Sequence, residues 1–281
     1  MQSNTMQVET PRTMADVVAS LMVEVSAGSA AATASHFVRP IVELARVSGG
    51  DAETNARESI YAVRFPAANR SGDEAWSAVG RLNLDTVGVE RALLAGLCVL
   101  AIKQVRDADV QIGDPVLVLG SDPWSLLLLQ WAKLQGASPL VFAARGSRTL
   151  ADFASAIGIE ATLTDPSPRD IAGAAKLTFS GAGFAVAFDA IATEQSMAQA
   201  LSAVRDGGRY VLTGLAPSPF ITLNAYPDLH RRDLEIVAPT HSLIDVEVER
   251  LFRFSLDAAD QKKLRLDGLL DPALGWRVVA A

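Results

Sequence analysis

The chain has 281 residues, 49% of them hydrophobic, a formal net charge of −7 and a single cysteine. That length carries one large domain or two modest ones around a sizeable core. An acidic chain without a Lys/Arg-rich block excludes nucleic acid as the main partner, and Cys98 alone excludes an intrachain disulfide framework or a multi-cysteine zinc site.

The opening stretch, MQSNTMQVETPRTMADV, has no basic segment followed by an apolar core, so no signal peptide is expected. Residues 22–25 and 38–47 read as strands. Residues 27–34 are rich in Ala, Ser, Thr and Gly and read as a loop or a weak helix. Gly49-Gly50 and Gly72-Asp73 are turn signals, so the first 88 residues read as a short β-rich region. From there strands and helices alternate. Residues 89–105 are a predicted helix, with Leu93, Leu94, Leu97, Leu100 and Ala101 at helical spacing. A buried strand at 116–119 follows, then a helix over 123–136 that Gly136 ends. A strand at 140–143 leads to a helix capped by Ser147 and running to Ile157-Gly158. A short strand at 160–163, a turn and helix over 165–176, a strand at 184–188 and a helix over 194–204 come next. Asp206-Gly207-Gly208 reads as a turn into a strand at 210–213, 234–237 as a last core strand, and 276–279 as a final strand in the tail. Six strands with intervening helices imply a parallel, doubly wound α/β sheet with right-handed crossovers. The apolar runs at 92–102 and 126–129 are too interrupted or too short to span a bilayer, so no membrane partner is expected.

The strand-to-helix turn at Gly120-Ser121-Asp122-Pro123-Trp124-Ser125 carries the functional question. A dinucleotide-binding turn would read G-x-G-x-x-G. There the first glycine permits the turn, the second lets backbone N–H groups approach a pyrophosphate, and the third allows close helix packing. Here Gly120 supplies the first, Asp122 replaces the second and the small Ser125 replaces the third. A carboxylate at Asp122 would repel a phosphate at a helix start that otherwise favours anions. Asp122 is equally an ordinary N-cap before Pro123 at the first helical position, with no cofactor involved.

Four segments, in order over residues 76–242, resemble the medium-chain dehydrogenase/reductase superfamily of zinc alcohol dehydrogenase-like proteins. Gly113-Asp114-Pro115-Val116-Leu117-Val118-Leu119-Gly120 is similar to G-D-x-V-L-V-x-G. Gln130, Ala132-Lys133 and Gly136-Ala137 are similar to Q-x-A-K-x-x-G-A. The run from Phe179-Ser180-Gly181-Ala182-Gly183-Phe184 to Asp189-Ala190 resembles T-x-G-x-G-x-D-x-x-x-D-A, and residues 203–214 resemble A-x-R-x-G-G-R-x-V-x-x-G. Residues 35–44 resemble a worn G-H-E-F-x-G-x-V-V-E segment. The resemblance implies a Rossmann-like six-stranded domain at 89–261 and a small, truncated β-rich catalytic-type lobe formed by 1–88 plus 262–281.

It also implies where chemistry would lie. His36 falls at the family's zinc histidine, but Phe37 stands where a Glu would, and Cys98 lies inside a predicted helix, so a metal-free site is expected. His36 reads either as a catalytic group or as a partly buried polar residue. After the second core strand no carboxylate follows; Arg145 and Arg148 flank Ser147, which suits a 2′-phosphate and points to NADP(H), or else marks a solvated helix start. Gly214 and the stretches 189–193, 214–218 and 239–242 fall at the strand ends that form the ligand crevice, and Ala192 replaces the small glycine expected there. His241 is the acid/base candidate by location, with a surface or capping histidine as the alternative. The expected function is therefore a zinc-independent, NADP(H)-dependent oxidoreductase acting on a small carbonyl or enoyl substrate, cytoplasmic and homodimeric. The competing expectation is a non-redox descendant that has lost the cofactor: a lyase, a cyclase, an isomerase or an accessory subunit.

Overall fold

A computed structural model describes residues 17–25, 37–46, 59–64, 77–176, 178, 181–214, 222–239, 245–274 and 276–280. Two compact units divide the chain. One comprises residues 1–99, 241–270 and 276–281, the other 100–240 and 271–275.

In the first unit, β1 (Val17–Val25), β2 (Phe37–Arg46), β3 (Ser59–Arg64) and β4 (Ser77–Leu82) are followed by the single-turn α1 (Leu84–Val87) and the start of the long helix α2 (Val89–Asp107). The strand expected at 22–25 begins five residues earlier and the one expected at 38–47 is displaced by one residue; β3 and β4 are additions. The tail strand joins them, giving a five-stranded antiparallel sheet of order β11-β1-β2-β3-β4 in which the last strand (β11, Trp276–Ala280) pairs with β1. Within this unit α2 is packed so closely that a Cβ on Gly96 would sit 3.1 Å from Val42 Cγ2.

The second unit takes up the chain with β5 (Val116–Gly120), α3 (Pro123–Gln135), β6 (Leu140–Ala144), α4 (Arg148–Ala156), β7 (Ala161–Thr164), α5 (Pro168–Ala175), β8 (Phe184–Asp189), α6 (Glu194–Ala203), β9 (Val204–Leu212) and β10 (Glu235–Val237). All pairings are parallel, in the order β10-β9-β8-β5-β6-β7. β5, β6 and β8 are buried at every position, which is why they read as unbroken apolar runs: a parallel sheet is covered on both faces. Leu117, Leu119, Val141, Ala143, Ala187 and Tyr210 form one core face against Ile171, Met197, Ala200 and Leu201. Strand order reverses between β5 and β8, so the crevice outside their carboxyl ends is the topological switch point where such sheets bind ligands.

Two elements depart from the sequence reading. The Asp206-Gly207-Gly208 turn lies inside β9 as an excursion. Val204 pairs with Phe184 and Arg209 with Val186, so four residues bulge out where β8 has one. Gly207 takes φ +69°, and a Cβ on Gly208 would lie 2.9 Å from Arg205 O. The helix α7 (Asp245–Asp260), in the first unit, was not foreseen, although Val248, Leu251, Phe252, Ser255 and Ala258 are buried on it at spacings of three and four.

Candidate functional site

The candidate site lies within the second unit, at the carboxyl ends of β5, β6, β8 and β9. Gly120 closes β5. A Cβ there would lie 2.0 Å from Ser125 Cβ and 3.2 Å from Phe142 Cε2, so bare backbone is obligatory where the chain doubles back into α3. Ser125 fills the space of the missing third glycine and turns its hydroxyl inward, donating to the Asp122 carbonyl at 2.6 Å. Ser121 is exposed, and Pro123 opens α3 at its first turn.

Asp122 occupies the N-cap position with extended backbone (φ −149°, ψ 171°), yet its side chain makes no capping hydrogen bond. The contrast with Ser147, Ser167 and Thr193, each of which caps its helix with a side-chain oxygen, is direct. Oδ1 of Asp122 is shut off from solvent and has no hydrogen-bond partner. Burial pushes its pKa up to about 7, and the Ser125 and Trp124 amides pull only partly in the other direction.

Trp124 is fully buried. Its indole Nε1 donates to Thr213 O at 2.8 Å and to Thr213 Oγ1 at 3.1 Å, and Thr213 in turn bonds Gln104 on α2. This ties the turn after β5 to the end of β9, with β8 lying between those two strands. The two tryptophans of α3, Trp124 and Trp131, are both core residues. At the end of β9, a Cβ on Gly214 would lie 2.6 Å from Ala192 Cβ. Ala192, where a glycine was expected, holds the left-handed φ of +57° that glycine adopts without strain. Its N–H and that of Ile191 donate to Asp189 Oδ1, while Ser196 Oγ and Tyr210 OH donate to Oδ2 at 2.8 and 2.9 Å. Asp189 is thus a buried carboxyl with four donors that fixes the β8 turn. Desolvation raises its pKa and, with the Asp189 charge beside it, raises that of Tyr210 as well. Sequence patterning marked Asp189 as part of a motif but gave no sign of its partners.

After β6, the Arg145 amide donates to Gly120 O at 2.8 Å, which brings the 145–148 segment beside the turn. The half-buried Arg145 guanidinium bonds the side-chain carbonyl of Gln199 on α6. Arg148, the first residue of α4, is exposed. One acidic residue absent from the sequence reading also arrives here: Asp165, following β7, accepts from the Gly146 amide at 2.7 Å. The structure therefore brings together Gly120, Asp122, Trp124, Ser125, Arg145 and Gly214. His36 and His241 lie outside the described residues, as do residues 215–218. Cys98 is buried on α2, and among the described residues no group of three or more His, Cys, Asp or Glu could hold a metal ion.

A family profile described as zinc-binding dehydrogenase matches residues 125–242. Over that segment, less than half of its length, the chain is similar to zinc-binding dehydrogenases. It is similar to L-arabinitol 4-dehydrogenase from Aureobasidium melanogenum, 30% identical over 132 residues that cover 44% of this chain and 36% of the relative. The enzyme of the same name from Hypocrea jecorina is 28% identical over 184 residues, 64% of this chain and 45% of the relative. The chain thus spans less than half the length of the curated relatives it matches. A crystal structure of a zinc-binding dehydrogenase from Sinorhizobium meliloti 1021 bound to NADP superposes with a TM-score of 0.62 at 16% identity, over 92% of this chain and 85% of that one, which is a likeness of fold. No described helix is long and apolar enough to cross a membrane.

Proposed function

We propose that the chain is a zinc-independent oxidoreductase that uses NADP(H) on a small carbonyl or enoyl substrate. The observation that carries the reading is the turn at residues 120–125. Gly120 is pressed against Ser125 where only bare backbone fits, at the start of a helix and at the switch point of a parallel sheet. The match to the zinc-binding dehydrogenase profile over 125–242 and the NADP-bound fold neighbour support it.

The residues present fit a dinucleotide in part. Gly120 and Gly214 allow the close turns at the ends of β5 and β9, and the α3 N-terminus offers favourable polarity to a phosphate. The exposed Arg148 suits a 2′-phosphate; Arg145 would have to leave Gln199 to share that work. Asp122 fits a neighbouring phosphate as a neutral acid and opposes it as a carboxylate. When bound, the nicotinamide group would supply or accept the hydride. In this reading His241 supplies the proton at the substrate oxygen and His36 is a second candidate. The buried position of Cys98 in α2 favours chemistry without zinc at that residue. In this reading the second unit is the nucleotide-type domain and the first unit the reduced catalytic-type lobe, with α7 assigned to the lobe rather than to a domain at 89–261, and the working state is a cytoplasmic homodimer.

The second reading, a cofactor-free descendant, is favoured by the buried, unpaired Oδ1 of Asp122 in the place of a phosphate-facing glycine. Titration with NADPH and NADH, followed by quenching of tryptophan emission, separates the two. Saturable submillimolar NADPH binding supports the oxidoreductase; no binding of either nucleotide discards it.

A further inference from the structure

The turn of this chain holds a group that the dinucleotide reading alone does not use: a carboxyl whose Oδ1 is out of contact with solvent and meets no donor. Its position is fixed from both sides. Gly120 is wedged against Ser125, Ser125 Oγ holds the Asp122 carbonyl, and Pro123 locks the next residue into the first turn of α3. The carboxyl stands where the backbone of a second glycine would face a diphosphate.

Two protonation states of this carboxyl make opposite demands. As a carboxylate it would set a second negative charge against an incoming phosphate. Within a few ångströms, in a site partly removed from water, that repulsion is strong. As a neutral acid it adds no charge against the phosphate and can donate an O–H, for which a phosphate oxygen is a strong acceptor. The orphaned oxygen and the anion are complementary only in the second state. We propose that the phosphate-binding turn seats a diphosphate only when Asp122 carries a proton, so that dinucleotide binding is coupled to the protonation of this residue.

The inference rests on the proposed dinucleotide reading and adds a proton to it. Burial sets the ionisation of Asp122 near neutrality, so the coupling operates within the physiological range. Four other charged groups lie at this end of the sheet. Arg145 after β6 bonds Gln199, Arg148 at the start of α4 is exposed, Asp165 after β7 accepts from Gly146, and Asp189 at the end of β8 is held by Ser196 and Tyr210. Asp122 is a positioning residue for the anion and takes no part in hydride transfer.

The test is calorimetric titration of the full chain with NADPH, and separately with inorganic pyrophosphate, between pH 6 and pH 8.5. Each titration is run in two buffers of different ionisation enthalpy, so that protons taken up are counted directly on the wild-type protein. Asp122→Asn and Asp122→Gly follow the same protocol, and subtracting their profiles removes the ligand's own phosphate titration. The expected result is that wild-type affinity falls about tenfold between pH 6 and pH 8 beyond the change in Asp122→Asn. Proton uptake on binding should rise toward one above pH 7 in the wild type only. Measurable binding with the same pH profile and proton count in wild type and Asp122→Asn overturns the coupling and leaves the dinucleotide reading standing. No binding of either ligand to wild type, Asp122→Asn or Asp122→Gly at any pH overturns the dinucleotide reading, and this inference with it.

Discussion

Replacing Asp122 by Asn should change stability in a pH-dependent way whose size follows from one buried oxygen. In the unfolded chain an aspartate titrates at the usual value near 3.8; in the folded protein burial holds Asp122 at about 7. The folded state therefore binds the proton more tightly. The associated stability is fully present below pH 4 and is lost as pH rises through the interval from about 4 to about 7. The slope is about 1.4 kcal/mol per pH unit, which makes the whole loss about 4 kcal/mol for a shift of this size. Asn cannot ionise, so Asp122→Asn removes the loss. Urea unfolding followed by tryptophan emission reports on the right unit, because Trp124 and Trp131 lie on α3 directly after the turn. The variant's stability relative to wild type should rise by about 3 kcal/mol between pH 4.5 and pH 8, with an unchanged dependence on urea concentration. A difference between variant and wild type that is constant across this range would show that the Asp122 carboxyl is not buried and unpaired, and the reasoning from it would fail.

Two further substitutions probe the same end of the sheet. Gly120→Ala places a methyl 2.0 Å from Ser125 Cβ and must push α3 away from β5. It should destabilise the protein by about 1–3 kcal/mol and weaken NADPH binding by more than tenfold, as read by urea midpoint and by titration. Arg148→Ala removes an exposed cation beside the turn; it should weaken NADPH by about tenfold and leave NADH affinity unchanged, and an equal loss for both nucleotides would reassign Arg148 to a general electrostatic role.

Much of the second unit was legible in the sequence because a covered parallel sheet writes itself as short apolar runs. The strands at 116, 140 and 184 begin where expected, and Gly136 ends α3 in the left-handed conformation that its place after an amphipathic run predicts. Ser147 caps α4 as its side chain suggests. The first unit was less legible. β3 and β4 are six residues each, too short for alternation to stand out, and α7 was hidden behind its acidic and basic exposed face. At the site, sequence placed Gly120 and Asp122 in the turn after β5 and Arg145 after β6, but could not supply the pairings that decide their roles. Arg145 is drawn to Gln199, 54 residues away, and Asp165 arrives from the next strand. From sequence Asp122 reads either as a carboxylate that repels a phosphate or as an ordinary helix cap; the structure gives it the cap's position without the cap's hydrogen bond, and its Oδ1 meets no donor.

Amide chemical-shift mapping during an NADPH titration at pH 6 reads whether residues 120–125 and 145–148 receive the phosphates of NADP(H). Saturable shifts are expected at Gly120, Ser121, Asp122, Trp124 and Ser125, with Arg145, Gly146 and Arg148 moving at the same ligand concentrations. Saturable binding that leaves those amides in place and moves signals elsewhere would contradict that placement of the phosphates.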